Sequence, residues 1–149
     1  MIVLTEVIDH HSPNFHSYTS AYTLALTADE RTRSRLRYEA IEGEMLQLQL
    51  PRGTVLHNGD LLVTASKDKC VKVIAKPEPI ITVKANSPLD LLRAAYHLGN
   101  RHVPLEVKPT YLRLAPDSVL EDMLKHLGLE LVQETAPFQP ESGAYGHSH

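Results

Sequence analysis

The 149-residue sequence contains one cysteine, no tryptophan, two phenylalanines and no excess of positive charge. A single cysteine, Cys70, excludes an intramolecular disulfide framework and any zinc site of the cysteine-rich kind, which leaves a buried spectator thiol as its simplest role. A net charge of -3, with a pI near 6.3, supplies no global basic field to draw the chain onto nucleic acid or an anionic membrane. No stretch approaches the roughly 18 apolar residues that a membrane span needs, and Met1 to Val7 has no basic start and no long apolar run. The expectation is a cytoplasmic protein with no nucleic-acid or membrane partner. Catalytic signatures are missing too: there is no His-Glu-x-x-His, no Gly-x-Ser-x-Gly and no phosphate loop ending Gly-Lys-Ser or Gly-Lys-Thr. Paired carboxylates such as Glu121-Asp122 read as helix surface.

What the chain does have is apolar material, 42% of residues, enough for one ordinary domain or two small ones, and nine histidines. The first half reads as short strands. Ile2 to Ile8 and Ala21 to Leu26 are candidates, and Met45 to Leu50 alternates Leu46, Leu48 and Leu50 with Gln47 and Gln49, the pattern of a half-buried strand. Asn58-Gly59-Asp60 between Thr54 to Leu56 and Leu61 to Ala65 predicts a hairpin, followed by Val71 to Ala75. These segments make residues 1–76 a small antiparallel β-rich domain. Pro77-Glu78-Pro79 marks the boundary, because two prolines in three residues hold the chain extended and remove two amide donors.

Residues 77–134 change rhythm. Ile80 to Lys84 is a strand; Ser87 caps a helix with Pro88 in its first turn and Leu89, Leu92 and Tyr96 at helical spacing, ended by Gly99. Two strands, Val103 to Val107 and Tyr111 to Leu114, precede a second helix capped at Asp117 or Ser118, with Leu120, Leu124 and Leu127 on its buried stripe. Leu129 to Val132 is the last strand. The order β-α-β-β-α-β predicts a ferredoxin-like domain, so the fold class is α+β. Residues 135–149, rich in Pro, Ser and Gly, are expected to form a flexible tail.

Among candidate residues, Leu98-Gly99-Asn100-Arg101-His102 presents three polar side chains on a loop between rigid elements, where function tends to sit. His102 is equally readable as a hydrogen-bonded histidine at a loop-to-strand junction. His97, in the last helical turn, is accounted for by the negative end of the helix dipole, and so is His126. His147 and His149 form a His-x-His pair at a spacing that lets two imidazoles reach one ion, or a solvated tail that binds nothing. His10, His11 and His16 cluster between the first two strands as a polar loop with incidental metal affinity, and His57 precedes a turn. Arg31, Arg33, Arg35 and Arg37 occupy alternate positions, so a strand there projects four guanidinium groups from one face. Such a stripe suits an acidic peptide or RNA, and a plain solvated face is the commoner outcome. The second half lacks the aromatics of an RNA-binding ferredoxin-like sheet, which favours a protein partner.

Tyr96-His97-Leu98-Gly99-Asn100-Arg101-His102-Val103-Pro104-Leu105 resembles the signature of the UreE family, the urease accessory nickel chaperones. Leu50-Pro51-Arg52-Gly53-Thr54-Val55-Leu56 with Gly59-Asp60, residues 117–124, and Ala136-Pro137-Phe138-Gln139-Pro140-Glu141 extend the resemblance over nearly the whole chain. It implies a partner-holding first domain, a ferredoxin-like metal-binding domain and a homodimer joined through the latter. It further implies that His102 is the key nickel ligand, one from each subunit across the two-fold axis, with His97 an accessory position and the tail histidines variable in number. The implied partners are the urease accessory GTPase and the urease apoenzyme, with dimers pairing further around a shared metal. Imidazoles also suit Zn2+ and Cu2+, so the nickel identity rests on the resemblance. Two competing readings remain open: a non-catalytic protein-interaction module with incidental histidines, and an enzyme using Asn100, Arg101 and His102 on an anionic substrate.

Overall fold

The computed structural model describes residues 1–141, which fall into two compact units, Met1–Lys76 and a second beginning at Pro77. In the first unit the strands are β1 (Ile2–Leu4), β2 (Glu6–Ile8), β3 (Tyr22–Leu26), β4 (Arg35–Glu39), β5 (Met45–Gln49), β6 (Leu61–Val63) and β7 (Cys70–Ala75). They form a three-stranded sheet, β1-β5-β4, and a four-stranded sheet, β2-β6-β7-β3. Residues from both sheets, Leu4, Leu46 and Leu48 with Leu24, Leu62 and Val73, meet in one buried core. The alternation of Met45 to Leu50 therefore decides which face of β5 looks inward, as expected.

Three expectations for this unit change. Ile2 to Ile8 is two strands in different sheets, because the chain switches sheets at Thr5, whose amide donates to the Val63 carbonyl at 3.0 Å. Pairing is mixed and not purely antiparallel: β1 runs parallel to β5, and β3 parallel to β7. Asn58-Gly59-Asp60 is a turn leading into β6, with Gly59 at φ +94°, but Thr54 to Leu56 is not a strand, so the hairpin is β6–β7. Leu56 is instead buried as an irregular segment whose amide donates to the Arg31 carbonyl at 2.8 Å.

The second unit comprises β8 (Pro77–Lys84), α1 (Pro88–Asn100), β9 (Glu106–Val107), β10 (Leu112–Leu114), α2 (Ser118–His126) and β11 (Glu130–Pro137). Its sheet order is β11-β8-β10-β9 and every neighbouring pair is antiparallel, which is the ferredoxin-like arrangement. Both helices start as their sequences dictate. The Ser87 hydroxyl accepts the Asp90 amide at 3.2 Å, and the Asp117 carboxylate accepts the Val119 and Leu120 amides at 3.0 and 3.1 Å. α1 lays Leu91, Ala94 and Leu98 on the sheet, and α2 contributes the fully buried Leu124.

Here too the structure departs from expectation. The strand at the boundary runs through Pro77 and Pro79, paired with β11 as far as Pro77 opposite Pro137. The two prolines have the same parity, so both missing amides point to one edge, and β10 reaches only Ile81 to Val83 of β8. The chain from Thr135 is ordered well past the expected start of the tail: β11 runs to Pro137, Phe138 is buried, and the amides of Gln139 and Glu141 donate to the Glu106 carboxylate and the Leu105 carbonyl, each at 2.8 Å. Long-range pairing with β8 supplies what local composition does not. Leu127 lies exposed at the end of α2, off the buried stripe. No helix of the described residues is long and apolar enough to cross a membrane.

One buried acid gives the first unit a titration signature. Burial pushes the Asp60 carboxyl above its ordinary value, against the opposing pull of the His57 amide, which donates to it at 2.8 Å, and of the His57 ring. Because the folded state holds this proton more tightly, the group contributes most stability in acid, and that contribution is lost as pH rises through the raised value. Asp60→Asn should keep an acceptor for His57 and remove this decline, which urea unfolding midpoints across the acid range will show.

Candidate metal centre

The end of α1 holds the leading candidate ligand. Leu98 is fully buried, and its carbonyl accepts the Val103 amide at 3.3 Å, while the His102 amide donates to Gly99 at 3.0 Å. This pair of bonds is the Schellman closure, in which the residue after the C-cap adopts the left-handed conformation and is usually glycine. α2 closes the same way with glycine: Gly128 has φ +82°, its amide reaches Lys125 at 3.0 Å, and the Leu129 amide reaches Leu124 at 3.1 Å. In α1 the equivalent position is His102, at φ +56°. Gly99 therefore does not end the helix; it lies one residue inside its last helical position, Asn100. Val103 packs on the same core as Leu98, so the imidazole starts from a backbone fixed on both sides and is itself exposed.

Neighbouring groups complete the terminus. The Arg101 guanidinium donates to the His97 carbonyl at 3.0 Å, covering one of the last free carbonyls of the helix. His97 is half-buried, its ring edge-on to Tyr96 at 5.5 Å between centroids. Three residues beyond His102, Leu105 accepts the Glu141 amide, so the chain that leads to His147 and His149 departs from the loop carrying His102. His147 and His149 lie outside the described residues. Among the described residues, no three His, Cys, Asp or Glu side chains come together so as to hold a metal ion.

The anchor of that departing chain was not visible in the sequence. Glu106, Arg113, Thr82 and Glu134 come from β9, β10, β8 and β11 and form one polar row. The Arg113 guanidinium donates to the Thr82 hydroxyl at 3.1 Å and lies 3.8 and 3.7 Å from Glu106 and Glu134, while the Thr82 hydroxyl donates to Glu134. Glu106, only 3% exposed, accepts the Gln139 amide. The one available hint was alternation: Leu112-Arg113-Leu114 sets a charge between two buried leucines.

Models of two families match the chain: the N-terminal domain of the UreE urease accessory protein over residues 4–76, and its C-terminal domain over residues 78–149. The chain belongs to the UreE family of urease accessory proteins. Relatives named urease accessory protein UreE include one from Nostoc punctiforme, 60% identical over 131 residues and 88% of each chain. Another, from a Nostoc species, is 52% identical over 149 residues, covering 100% of this chain and 99% of its own. A third, from Thermosynechococcus vestitus, is 57% identical over 126 residues, 85% of this chain and 87% of its own.

In this UreE-family chain the other candidates divide. Arg35 and Arg37 project from one face of β4, and Arg33 is exposed just before it, but Arg31 does not join the stripe. It sits in a 3-10 turn, Glu30–Thr32, is 4% exposed and donates to the Leu26 carbonyl at 2.8 Å, because the chain turns there and loses the two-residue period of a strand. His10 and His16 lie edge-on to Phe15 and His11 against His10, while Phe15 with Tyr18 covers the small core of Ile8, Leu61, Val63 and Cys70. Cys70 is buried there, and burial raises its thiol pKa, which disfavours the thiolate that binds metal. His126 is engaged at its own helix, its Nδ1 donating to the Asp122 carbonyl at 2.7 Å.

A left-handed residue other than glycine costs about 1 kcal/mol. His102→Gly should therefore raise stability by about 1 kcal/mol while His102→Ala should not, although both remove the imidazole. Chemical denaturation of the three proteins measures the difference.

Proposed function

We propose that this chain is a non-enzymatic nickel chaperone of urease maturation in the cytoplasm, holding Ni2+ on His102 and passing it to a protein partner. The observation that carries this reading is the left-handed His102: a strained backbone position at an exposed helix end is occupied by a metal-ligating side chain where the sister helix uses glycine. Strain kept at a surface position points to a role outside the fold. Family membership supplies the process, through the printed name of its relatives.

One imidazole is a poor site for a divalent ion, so the reading includes a homodimer that brings two His102 side chains together. α1 supports this. Leu89, Leu92 and Tyr96, expected at helical spacing, are 53, 67 and 66% exposed and form an apolar stripe leading toward the His102 end of the helix. Packing that stripe against its two-fold copy is an isologous contact, and with the axis passing at the Tyr96 end of the stripe both helix ends lie near it. His147 and His149 then join as further ligands. Glu141 is tied to Leu105, three residues from His102, and the six residues on to His147 span up to ~20 Å when extended, ample for that separation. His97, in the last turn of α1, is an accessory ligand.

Transfer follows from ligand exchange. Imidazoles on separate segments dissociate one at a time while a partner's ligands replace them, and the reading assigns that partner to the urease accessory GTPase, with the apoenzyme beyond it. Zn2+ and Cu2+ fit the same ligands, and by the Irving-Williams order Cu2+ binds more tightly than Ni2+, so selectivity comes from supply and partner.

Equilibrium dialysis against Ni2+ tests the reading. The wild type should bind about one tight ion per dimer and His102→Ala should lose it; equal binding by both would favour an interaction module with incidental histidines. Deleting Tyr145–His149 should weaken binding while leaving the His102-centred ion in place. Leu92→Glu should yield a monomer by sedimentation and lose the tight ion with it.

A further inference from the structure

Arg33, Arg35 and Arg52 line one open groove of about 600 Å3 in the first unit, together with Thr32, Ser34 and Gly53. Two of these arginines belong to the alternating stripe; the third arrives from the Pro51-Arg52-Gly53 turn, which sequence spacing could not connect with it. In a chain of net charge -3 this is a local concentration of positive charge. Asp29 pairs with Arg33 at 2.7 Å, and among the described residues no carboxylate lies within ion-pair distance of Arg35 or Arg52. Both are exposed.

We propose that this groove docks an acidic, extended segment of a partner protein, a surface distinct from the metal centre. Arg33 is extended and leads into β4, so Arg33 and Arg35 are separated by two extended residues, about 6.6 Å. An extended peptide presents alternate side chains at that same repeat, so successive outward carboxylates meet successive guanidinium groups, each able to form a charge-assisted bidentate pair. Arg52 adds a third guanidinium group to the same groove. The lining carries no aromatic side chain on which a base could stack, and Tyr38, the aromatic of β4, packs against the buried core. Single-stranded nucleic acid needs such platforms, so an acidic peptide is the occupant.

The test uses the full chain and a fluorescein-labelled octaglutamate peptide, read by fluorescence anisotropy at low and moderate salt. The wild type should bind with an affinity that falls with salt, and Arg35→Gln with Arg52→Gln should weaken binding about tenfold, two charge-assisted contacts being worth at least 1.4 kcal/mol together. Arg37→Gln, on the same strand but outside the groove, should weaken it about twofold through the general field alone. Nickel dialysis should be unchanged in the double variant, which separates this proposal from the metal-carrier reading. Equal losses in Arg37→Gln and the double variant would overturn it in favour of diffuse charge. Binding of an oligouridylate as tight as the peptide, or of octaglutamine equal to octaglutamate, would overturn it as well.

Discussion

Leu98 is tied down twice. Its side chain is fully buried against the sheet of the second unit, and its carbonyl receives the Val103 amide across the end of α1. Between those two fixed points the chain has only Gly99 to His102 in which to reverse, and the reversal demands a left-handed residue. His102 therefore presents its ring from a backbone that cannot drift, and the loop beyond it is fixed through Val103 and Leu105, both packed into the same core. The Arg101 bond to the His97 carbonyl and the docking of Glu141 on Leu105 both build on that geometry. A side chain on such a mount needs little further ordering of its backbone to make a contact.

Several elements of the fold were legible because their signals are local. The Leu46, Leu48, Leu50 alternation, the Ser87-Pro88 start of α1 and the Asp117 cap of α2 each follow from one or two side chains and the backbone groups beside them. What was not legible depends on distant partners. Nothing local marks Thr5 as the place where a strand changes sheets, and only the presence of β8 makes a strand of Thr135 to Pro137. Helical periodicity also carries no sign. α1 has two apolar stripes, Leu89-Leu92-Tyr96 and Leu91-Ala94-Leu98, and only the sheet beneath decides that the second is buried.

The candidate site divides in the same manner. His102 was identifiable as a residue, first by its loop and then by family resemblance, but Gly99 looked like the helix stop and so concealed the strained position three residues later. The arginine stripe was read correctly on its strand portion and wrongly at Arg31, where the chain leaves extended geometry. Arg52 and the Glu106 to Glu134 row were invisible because they assemble residues from separate turns and strands. Spacing arguments work within an element and fail between elements.

The long pairing of β8 with β11 has a mechanical corollary. Pro77 and Pro137 are opposite one another, so the chain enters the second unit and leaves its sheet at the same end of one antiparallel pair. Tension between the first unit and the C-terminus would therefore load that pair in peeling geometry, opening its rungs one at a time, and not in shear, where all rungs resist together. The hold of Gln139 and Glu141 on β9 and its preceding loop acts as a clasp ahead of that zipper, so a pull from the C-terminal side meets the clasp first and spares the strands until it opens.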